Sequence, residues 1–243
     1  MSFFRGAVLA ALVQGTAASA DGAEVRTLSP GKLTVAVTTA SPLGPFDPQS
    51  WIRRYLERFA HEQGLATAWV VVPFADSWVL ASGDEVDLVA TNVASFPERA
   101  RPGATFSAPF LYERRALRIQ PRDGERLAHI DDFVGRTVGV VRGTAAERDV
   151  RRRAPEGVRV VATAAFPELY AEFAAGRLDA VAEAEYYALD GRVIPSHGPE
   201  VMLVDLHDLN PGAREESVFV VRDRSVGLLA VLNRFIARTP FPP

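Results

Sequence analysis

Arg99 is the residue of this chain whose chemistry is easiest to interpret from its sequence context. It stands between two prolines in a polar turn, shortly after the apolar run VDLVA (86–90). A guanidinium group presents a planar pair of donors and binds a carboxylate through two parallel, charge-assisted hydrogen bonds. We therefore interpret Arg99 as a candidate carboxylate-binding residue. The alternative interpretation is an ion pair at the surface with Glu98 or Glu113.

Other candidates follow predicted strands, at the end where open α/β sheets bind their ligands. A helix that begins at Thr144 would offer unpaired backbone N–H groups to an anion, although the same pattern is typical of ordinary helix capping. Glu183 and Glu185 are candidates for binding an amine, or else solvated acids at a strand end. The remaining candidates are Thr91, Asn92, Phe46 and Phe74. For the two phenylalanines, packing in the hydrophobic core is the alternative.

Seven short apolar runs are predicted to form the strands that position these candidates. They are rich in β-branched residues and nearly continuous, which is typical of strands that are covered on both faces. The runs are LTVAV (33–37), AWVVV (68–72), VDLVA (86–90), TVGVV (137–141), VRVVA (158–162), DAVAE (179–183) and VFVV (218–221). Helical spacing and helix-start signals predict helices within residues 47–64, 143–150 and 166–176.

The same unit of strand, helix, strand, helix and strand occurs twice, which predicts two α/β lobes with parallel sheets and right-handed crossovers. We expect two separate sheets that face each other across a cleft, with residues 111–127 as the connection. The last strand follows the second unit, so it most simply returns to the first lobe. The first lobe would comprise residues 21–113 and 215–243, the second lobe residues 114–214, and the two crossings would form a hinge.

The composition excludes several classes of function. The chain has 243 residues, 48% of them hydrophobic, and a net charge of −3, with no basic block that would indicate nucleic acid binding. It contains no cysteine, and its four histidines lack the spacing of zinc ligands. We therefore predict no metal site and no cofactor, and we expect a monomer.

The N-terminal sequence MSFFRGAVLAALVQGTAASA indicates a cleavable signal peptide over residues 1–20. Arg5 precedes an apolar segment that is shorter than the roughly 20 residues needed to span a bilayer. Ala18-Ser19-Ala20 fits the rule for small residues at a cleavage site. We predict cleavage before Asp21 and a periplasmic mature protein; a core helix is the alternative.

Four segments resemble, in order, the sequence blocks of the periplasmic solute-binding proteins of ABC importers, in the family best known for binding polar amino acids. They are GKLTVAVTTASPLGPFD, DLVATNVASFPERARPGATFSAPF, IDDFVGRTVGVVRGTAAE and FAAGRLDAVAEAE. The resemblance implies a two-lobed, type II periplasmic-binding-protein fold, with a mainly parallel sheet flanked by helices in each lobe and a hinge between them. It further implies that Arg99 binds the carboxylate of a small-molecule ligand, and that a transporter permease is the partner.

Several positions depart from the family pattern. Ala94 and Ala145 stand where the family has serine or threonine in the binding site, and Ala40 and Ala184 stand where it has acids that bind the ligand amine. A buried ammonium without a partner is strongly disfavoured. We therefore expect a carboxylate without the amine, or a peptide-like or otherwise modified ligand, unless a neighbouring glutamate takes that role.

Two related classes of protein are the alternatives to a transport protein. The segment ATNVASFPER also resembles the ligand-binding half of membrane-bound lytic transglycosylases, which would make the chain a ligand sensor. Periplasmic dehydratases of the cyclohexadienyl type resemble the same family, but Tyr187 occupies the position of their catalytic acid, so we predict no enzymatic activity. The ending LNRFIARTPFPP also looks short of the family's usual terminal helix.

Overall fold

The computed structural model describes residues 25–207 and 214–242. The predicted signal peptide, residues 1–20, lies outside the described residues. The first part of the chain contains β1 (Lys32–Val37), α1 (Pro48–Glu62), β2 (Ala66–Val71), β3 (Leu88–Ala94), β4 (Ala104–Phe106) and β5 (Leu111–Ile119). The rest contains β6 (Thr137–Val141), α2 (Ala145–Arg153), β7 (Arg159–Thr163), α3 (Phe166–Ala174), β8 (Ala180–Tyr187), β9 (Val193–Ile194), β10 (Met202–His207), β11 (Glu215–Arg222) and α4 (Leu228–Arg238).

Within each repeated unit the strands pair in parallel, as the sequence pattern predicts. β1 pairs with β2 and β3, and β6 pairs with β7 and β8. β11 returns to pair antiparallel with β3, so the strand order is β2-β1-β3-β11-β5-β8-β6-β7. We call the β2-β1-β3-β11 side, with α1 and α4, the first lobe. The β8-β6-β7 side, with α2 and α3, is the second lobe.

The sheets of the two lobes are hydrogen-bonded into one, so the expectation of two separate sheets was wrong. β5 pairs with β11 at residues 111–113 and with β8 over residues 112–118. Residues 111–119 therefore form a strand that both lobes share, where the sequence pattern indicated only a connection. The charged residues of LYERRALRI conceal this strand, because several of their partners are remote in sequence, such as Glu185 for Arg114 and Glu183 for Arg118.

The helix expected between β2 and β3 is replaced by a single 3-10 turn at Ser77–Val79. Asp76 and Asp84, on either side of it, both adopt a left-handed backbone conformation with a φ of 61°. A left-handed residue interrupts a helix, and aspartate tolerates this conformation better than most residues do. The segment consequently forms a loop with one 3-10 turn in place of the expected helix.

The two lobes each have a hydrophobic core, and a third cluster joins them. Phe219 and Phe235 are fully buried in the first lobe, where Phe110 stacks on Phe219 with 4.2 Å between the ring centroids. The joining cluster includes Phe74 of the first lobe and Leu169 of the second. The structure thus shows the lobes in contact with each other.

The C-terminal segment forms α4 (Leu228–Arg238), and the shortness of the ending relative to the family's usual terminal helix stays a prediction. Leu228, Leu232 and Phe235 bury one face of α4 against the first lobe. Within the two described ranges, no helix combines the length and the hydrophobicity that crossing a membrane requires.

Candidate functional site

A cavity lies between the lobes, beyond the carboxyl ends of their parallel strands. It encloses about 670 Å³ of empty space, part of which is open to solvent. All the site residues predicted from the sequence line this cavity except Phe46 and Glu185. The predicted residues that line it are Phe74, Thr91, Asn92, Ala94, Arg99, Thr144, Ala145 and Glu183.

The two exceptions have other surroundings. Phe46 is half-buried in a 3-10 turn just before α1. Arg114 lies opposite Glu185 in the β5–β8 ladder, and its Nη2 donates to the Glu185 carboxylate at 2.6 Å. The Tyr187 hydroxyl donates to the same carboxylate. Glu185 is therefore engaged outside the cavity, and the geometry gives no support to its predicted role at an amine.

Arg99 lies where the two lobes meet. Its side chain is 5% exposed, and its guanidinium lies over the rings of Phe74, Trp78 and Phe96, at 4.7–5.5 Å from their centroids. Its Nη2 donates to the carbonyl oxygen of Gly143, in the second lobe, at 2.9 Å. Burial lowers the pKa of Arg99 to about 10, so the group remains protonated at neutral pH. The geometry therefore brings a permanent cation to the cavity wall.

The start of α2 faces Arg99 from the second lobe. Thr144 caps the helix: its Oγ1 accepts from the Glu147 N–H at 3.0 Å, while its hydroxyl donates to the Val141 carbonyl at 2.7 Å. The hydroxyl of Thr144 is therefore occupied by capping, which was the alternative interpretation. Ala145 and Ala146, in the first turn of α2, line the cavity. The N–H groups in the first turn of a helix have no partner within that helix.

Two buried charges of β5, Glu113 and Arg115, form part of the cavity wall, and neither was predicted from the sequence to be a site residue. Arg115 pairs with Glu113 through its Nη2, which also lies 3.2 Å from the carboxylate of Glu215 on β11. The Ser217 hydroxyl donates to Glu113. Their sequence signal is the i, i+2 spacing of Glu113 and Arg115, which places both side chains on one face of a strand.

Glu183 lines the cavity from β8, but its charge is already balanced. Arg118, which is 1% exposed, donates to one of its carboxylate oxygens, and the Tyr170 hydroxyl donates to the other. Burial and the neighbouring Glu183 raise the pKa of Tyr170 well above its usual value, so this phenol stays protonated. The role of Glu183 at a ligand amine stays a prediction, and the amine would have to compete with these two donors.

Asp47 and Gln49, at the start of α1, are further residues of the cavity that the sequence analysis did not place there. Asp47 is 2% exposed, and it accepts from the N–H groups of Gln49 and Ser41 at 3.1 and 3.2 Å. Burial raises the pKa of Asp47. The capping pattern that correctly predicted the beginning of α1 was also the signal that could have placed Asp47 in the cavity. It puts an acid at the end of the lobe where the parallel strands have their carboxyl ends.

Asn92 has an unusual backbone conformation within β3. Its φ is 63°, and the β3–β11 register shifts between Val218 and Val220, which pair with Val93 and Val89. The side chain lines the cavity, and its buried Oδ1 has no hydrogen-bond partner in the described part of the chain. Strained residues and unsatisfied polar atoms are both concentrated at functional sites.

Comparisons by sequence find no protein-family model and no curated protein that matches the chain. Solved structures do match. An amino acid ABC transporter substrate-binding protein from Streptococcus pneumoniae, bound to L-arginine, has a TM-score of 0.68 and 17% identity, over 85% of this chain and 87% of that chain. The arginine-bound form of truncated ArgBP from T. maritima has a TM-score of 0.66 and 20% identity, over 86% and 97%.

A third similar structure is the ancestral amino acid-binding protein AncCDT-1, described as a precursor of cyclohexadienyl dehydratase. Its TM-score is 0.67 at 19% identity, over 85% of this chain and 88% of that chain. Because the sequence identities are this low, the similarity to these structures shows the fold and not the function. This chain has the two-lobed α/β fold of the substrate-binding proteins of amino acid ABC transporters, as the sequence blocks predict.

Proposed function

We propose that this protein is an extracytoplasmic solute-binding protein that closes its two lobes over a small carboxylate-bearing solute and delivers it to an ABC importer. The solute is amino acid-like or a derivative of an amino acid. The protein acts as a periplasmic monomer after removal of residues 1–20, and a transporter permease is its partner. The two-lobed fold, which it shares with binding proteins of amino acid transporters, supports this proposal.

The observation that carries the proposal is the position of Arg99. A guanidinium that is nine-tenths buried, lies on the wall of an interlobe cavity and reaches the opposite lobe is suited to neutralise an anion held between the lobes. The first turn of α2 offers the anion further N–H donors from the other side. A carboxylate in this position would contact both lobes at once and would therefore favour closure over the open state.

The lobe boundaries proposed from the sequence are compatible with the strand pairing. The chain would leave the first lobe after residue 113 and re-enter it at residue 215, at the short β5–β11 ladder of residues 111–113 and 215–217. Bending at two adjacent strands is a common hinge arrangement, in which a few residues absorb the change in backbone angles. Closure about this ladder would bring Arg99 towards α2.

A ligand sensor and a dehydratase are the alternative functions. A sensor would use the same cavity, so a membrane partner other than a permease would distinguish it. A dehydratase needs a proton donor at the substrate, and Tyr187, which occupies that position, donates to Glu185 outside the residues that line the cavity. The similar structure that is named as a precursor of such an enzyme is itself an amino acid-binding protein. We therefore propose a binding role.

A thermal-shift screen tests the proposal, followed by calorimetric titration of each compound that raises the melting temperature. The panel contains L-amino acids, the corresponding hydroxy acids and N-acyl derivatives, and matched amides without a carboxylate. A true ligand at a hundred times its dissociation constant adds about 2.7 kcal/mol of stability. We expect the carboxylates to bind and the amides to fail.

The variant Arg99→Ala tests whether Arg99 belongs to the binding site. If Arg99 meets a buried carboxylate, the variant should lose about 3–5 kcal/mol of binding free energy. Arg101→Ala is the matched control, because Arg101 lies two residues away and is exposed. Unchanged affinity in the Arg99→Ala variant, with its fold verified by circular dichroism, would remove Arg99 from the site.

A further inference from the structure

A second cavity adjoins the first one. It encloses about 500 Å³ of empty space, part of it open to solvent, between the loops that follow β1 and β2 in the first lobe and the segment before α3 in the second. Phe74 and Phe166 line both cavities, so these two rings form the wall between them. Phe74 belongs to the first lobe and Phe166 to the second, which means that the wall parts whenever the lobes separate.

The chemistry of the second cavity differs from that of the first. None of the described residues that line it carries a charge, and most of them are apolar, such as Val72, Pro73, Val141 and Ala165. The first cavity, in contrast, contains Arg99 together with several buried charges. The charged part of a solute is therefore favoured in the first cavity, and an uncharged part in the second.

Thr38, which lines the second cavity, carries an unsatisfied polar group. Thr38 is 3% exposed, and its Oγ1 has no hydrogen-bond partner among the described residues. Its backbone N–H is satisfied by Gln49 Oε1 at 3.1 Å, so the side-chain hydroxyl alone is left over. Buried hydroxyl groups are nearly always paired, and an unpaired one at a cavity wall indicates a place for a hydrogen-bonding group of a ligand.

We propose that the solute occupies both cavities: its carboxylate binds at Arg99, and an uncharged, largely apolar tail passes between Phe74 and Phe166 into the second cavity. One polar atom of the tail bonds to the Thr38 hydroxyl. This describes an N-acylated amino acid, in which acylation also removes the positive charge of the amine. The inference rests on the proposed function, because it assigns the part of the solute that Arg99 does not hold.

A series of ligands with acyl chains of increasing length tests whether the binding site extends into the second cavity. Calorimetric titration compares free L-leucine with N-acetyl-, N-butyryl- and N-hexanoyl-L-leucine, all of which carry the same carboxylate. We expect affinity to rise about fourfold for each methylene that enters the second cavity, which is the equilibrium factor for burying one methylene group. Free leucine should bind more weakly than every acylated compound.

Two variants locate the tail. Ala165→Leu fills part of the second cavity and should abolish the gain from longer acyl chains, whereas Ala171→Leu, on the exposed face of α3, is the matched control and should preserve it. Thr38→Val keeps the shape of the side chain but removes the hydroxyl. It should weaken binding of the acylated ligands by about threefold to tenfold.

The outcomes distinguish this inference from the proposed function. If free leucine binds as tightly as the acylated compounds and Ala165→Leu changes nothing, the tail does not occupy the second cavity and the inference is wrong, although carboxylate binding stands. If Arg99→Ala leaves the binding of all these compounds unchanged, the proposed function fails and the inference fails with it. Loss of chain-length dependence in Ala165→Leu alone would support the inference.

Discussion

Gly143 and Ala75 meet across the cleft, one from each lobe. A Cβ atom added to Gly143 would lie 3.0 Å from the Cα atom of Ala75, which is tighter than most Cβ contacts, so one of the two segments would have to shift. Gly143 is also the residue whose carbonyl oxygen accepts from Arg99. The candidate ligand-binding arginine therefore bridges the lobes at a place where their backbones are in close contact.

Gly143→Ala should therefore disfavour the closed state. The φ of Gly143 is 80°, so alanine adds backbone strain of about 1–2 kcal/mol in any state, and the contact with Ala75 adds a cost in the closed state alone. We expect weaker ligand binding, and a larger radius of gyration by small-angle scattering at saturating ligand than the wild type has.

Gly176→Ala is the matched control for this variant. Gly176 has a φ of 72°, and a Cβ atom there would meet no described atom within 4 Å. It carries the same kind of backbone strain without a contact across the cleft. Equal losses of affinity in both variants would mean that Gly143 affects only the stability of the second lobe.

Asn92→Gly should separate the backbone role of Asn92 from its side-chain role. Glycine adopts a positive φ without a steric cost, so the variant should match the wild-type stability to within about 1 kcal/mol, measured by urea unfolding. The amide is lost, so a ligand that pairs with Oδ1 should bind about tenfold more weakly. Wild-type affinity in this variant would show that the amide does not contact the ligand.

Glu215 should make the stability of the fold depend on pH. Burial is the main cause that raises its pKa to about 7, from 4.5 for an unperturbed glutamate. Between these values the folded protein binds more protons than the unfolded chain, so the stability contribution is fully present below pH 4.5 and is lost as the pH rises towards 7. The loss is on the order of 3 kcal/mol.

Glu215→Gln tests this dependence. The variant keeps the shape of the side chain and removes the titration, so its stability relative to the wild type should increase from pH 4.5 to pH 8. Glu216→Gln is the control, since Glu216 is the exposed neighbour of Glu215. Parallel pH profiles of the wild type and Glu215→Gln would contradict the prediction.

Arg118→Met should be strongly destabilising. It leaves the Glu183 carboxylate buried without its cation, which typically costs about 3–5 kcal/mol of unfolding free energy. The double variant Arg118→Met with Glu183→Gln removes the unpaired charge as well, so it should recover much of that loss. If denaturant unfolding gives the same stability for the single and the double variant, the ion pair is not the cause.

The helices and strands whose formation depends on residues close together in the sequence could be predicted. The beginning of α1 follows from Asp47 and Pro48, and the start of α2 from Thr144, because capping acts over three or four residues. The parallel strands follow from continuous apolar runs. Arg99 was proposed as a site residue in this way, since its turn follows one of those runs, and this role stays a prediction.

What the sequence could not show depends on contacts between remote segments. β5 carries buried charges whose partners, such as Glu215 for Arg115, lie a hundred residues away, so its sequence resembles a polar connection. The left-handed backbone of Asn92 lies where the β3–β11 register shifts. The position of Glu185 outside the cavity follows from its pairing with Arg114 in a neighbouring strand.

The position of β3 between β1 and β11 has a consequence for how the chain is made. β1 and β3 are synthesised early, but β11 begins only at Glu215, so the sheet of the first lobe cannot be complete before β11 has been synthesised. β6, β7 and β8 are consecutive and end at Tyr187, so their sheet can form before β11 has been synthesised. Because contacts between remote segments form slowly, the segment synthesised later is expected to acquire its tertiary structure first.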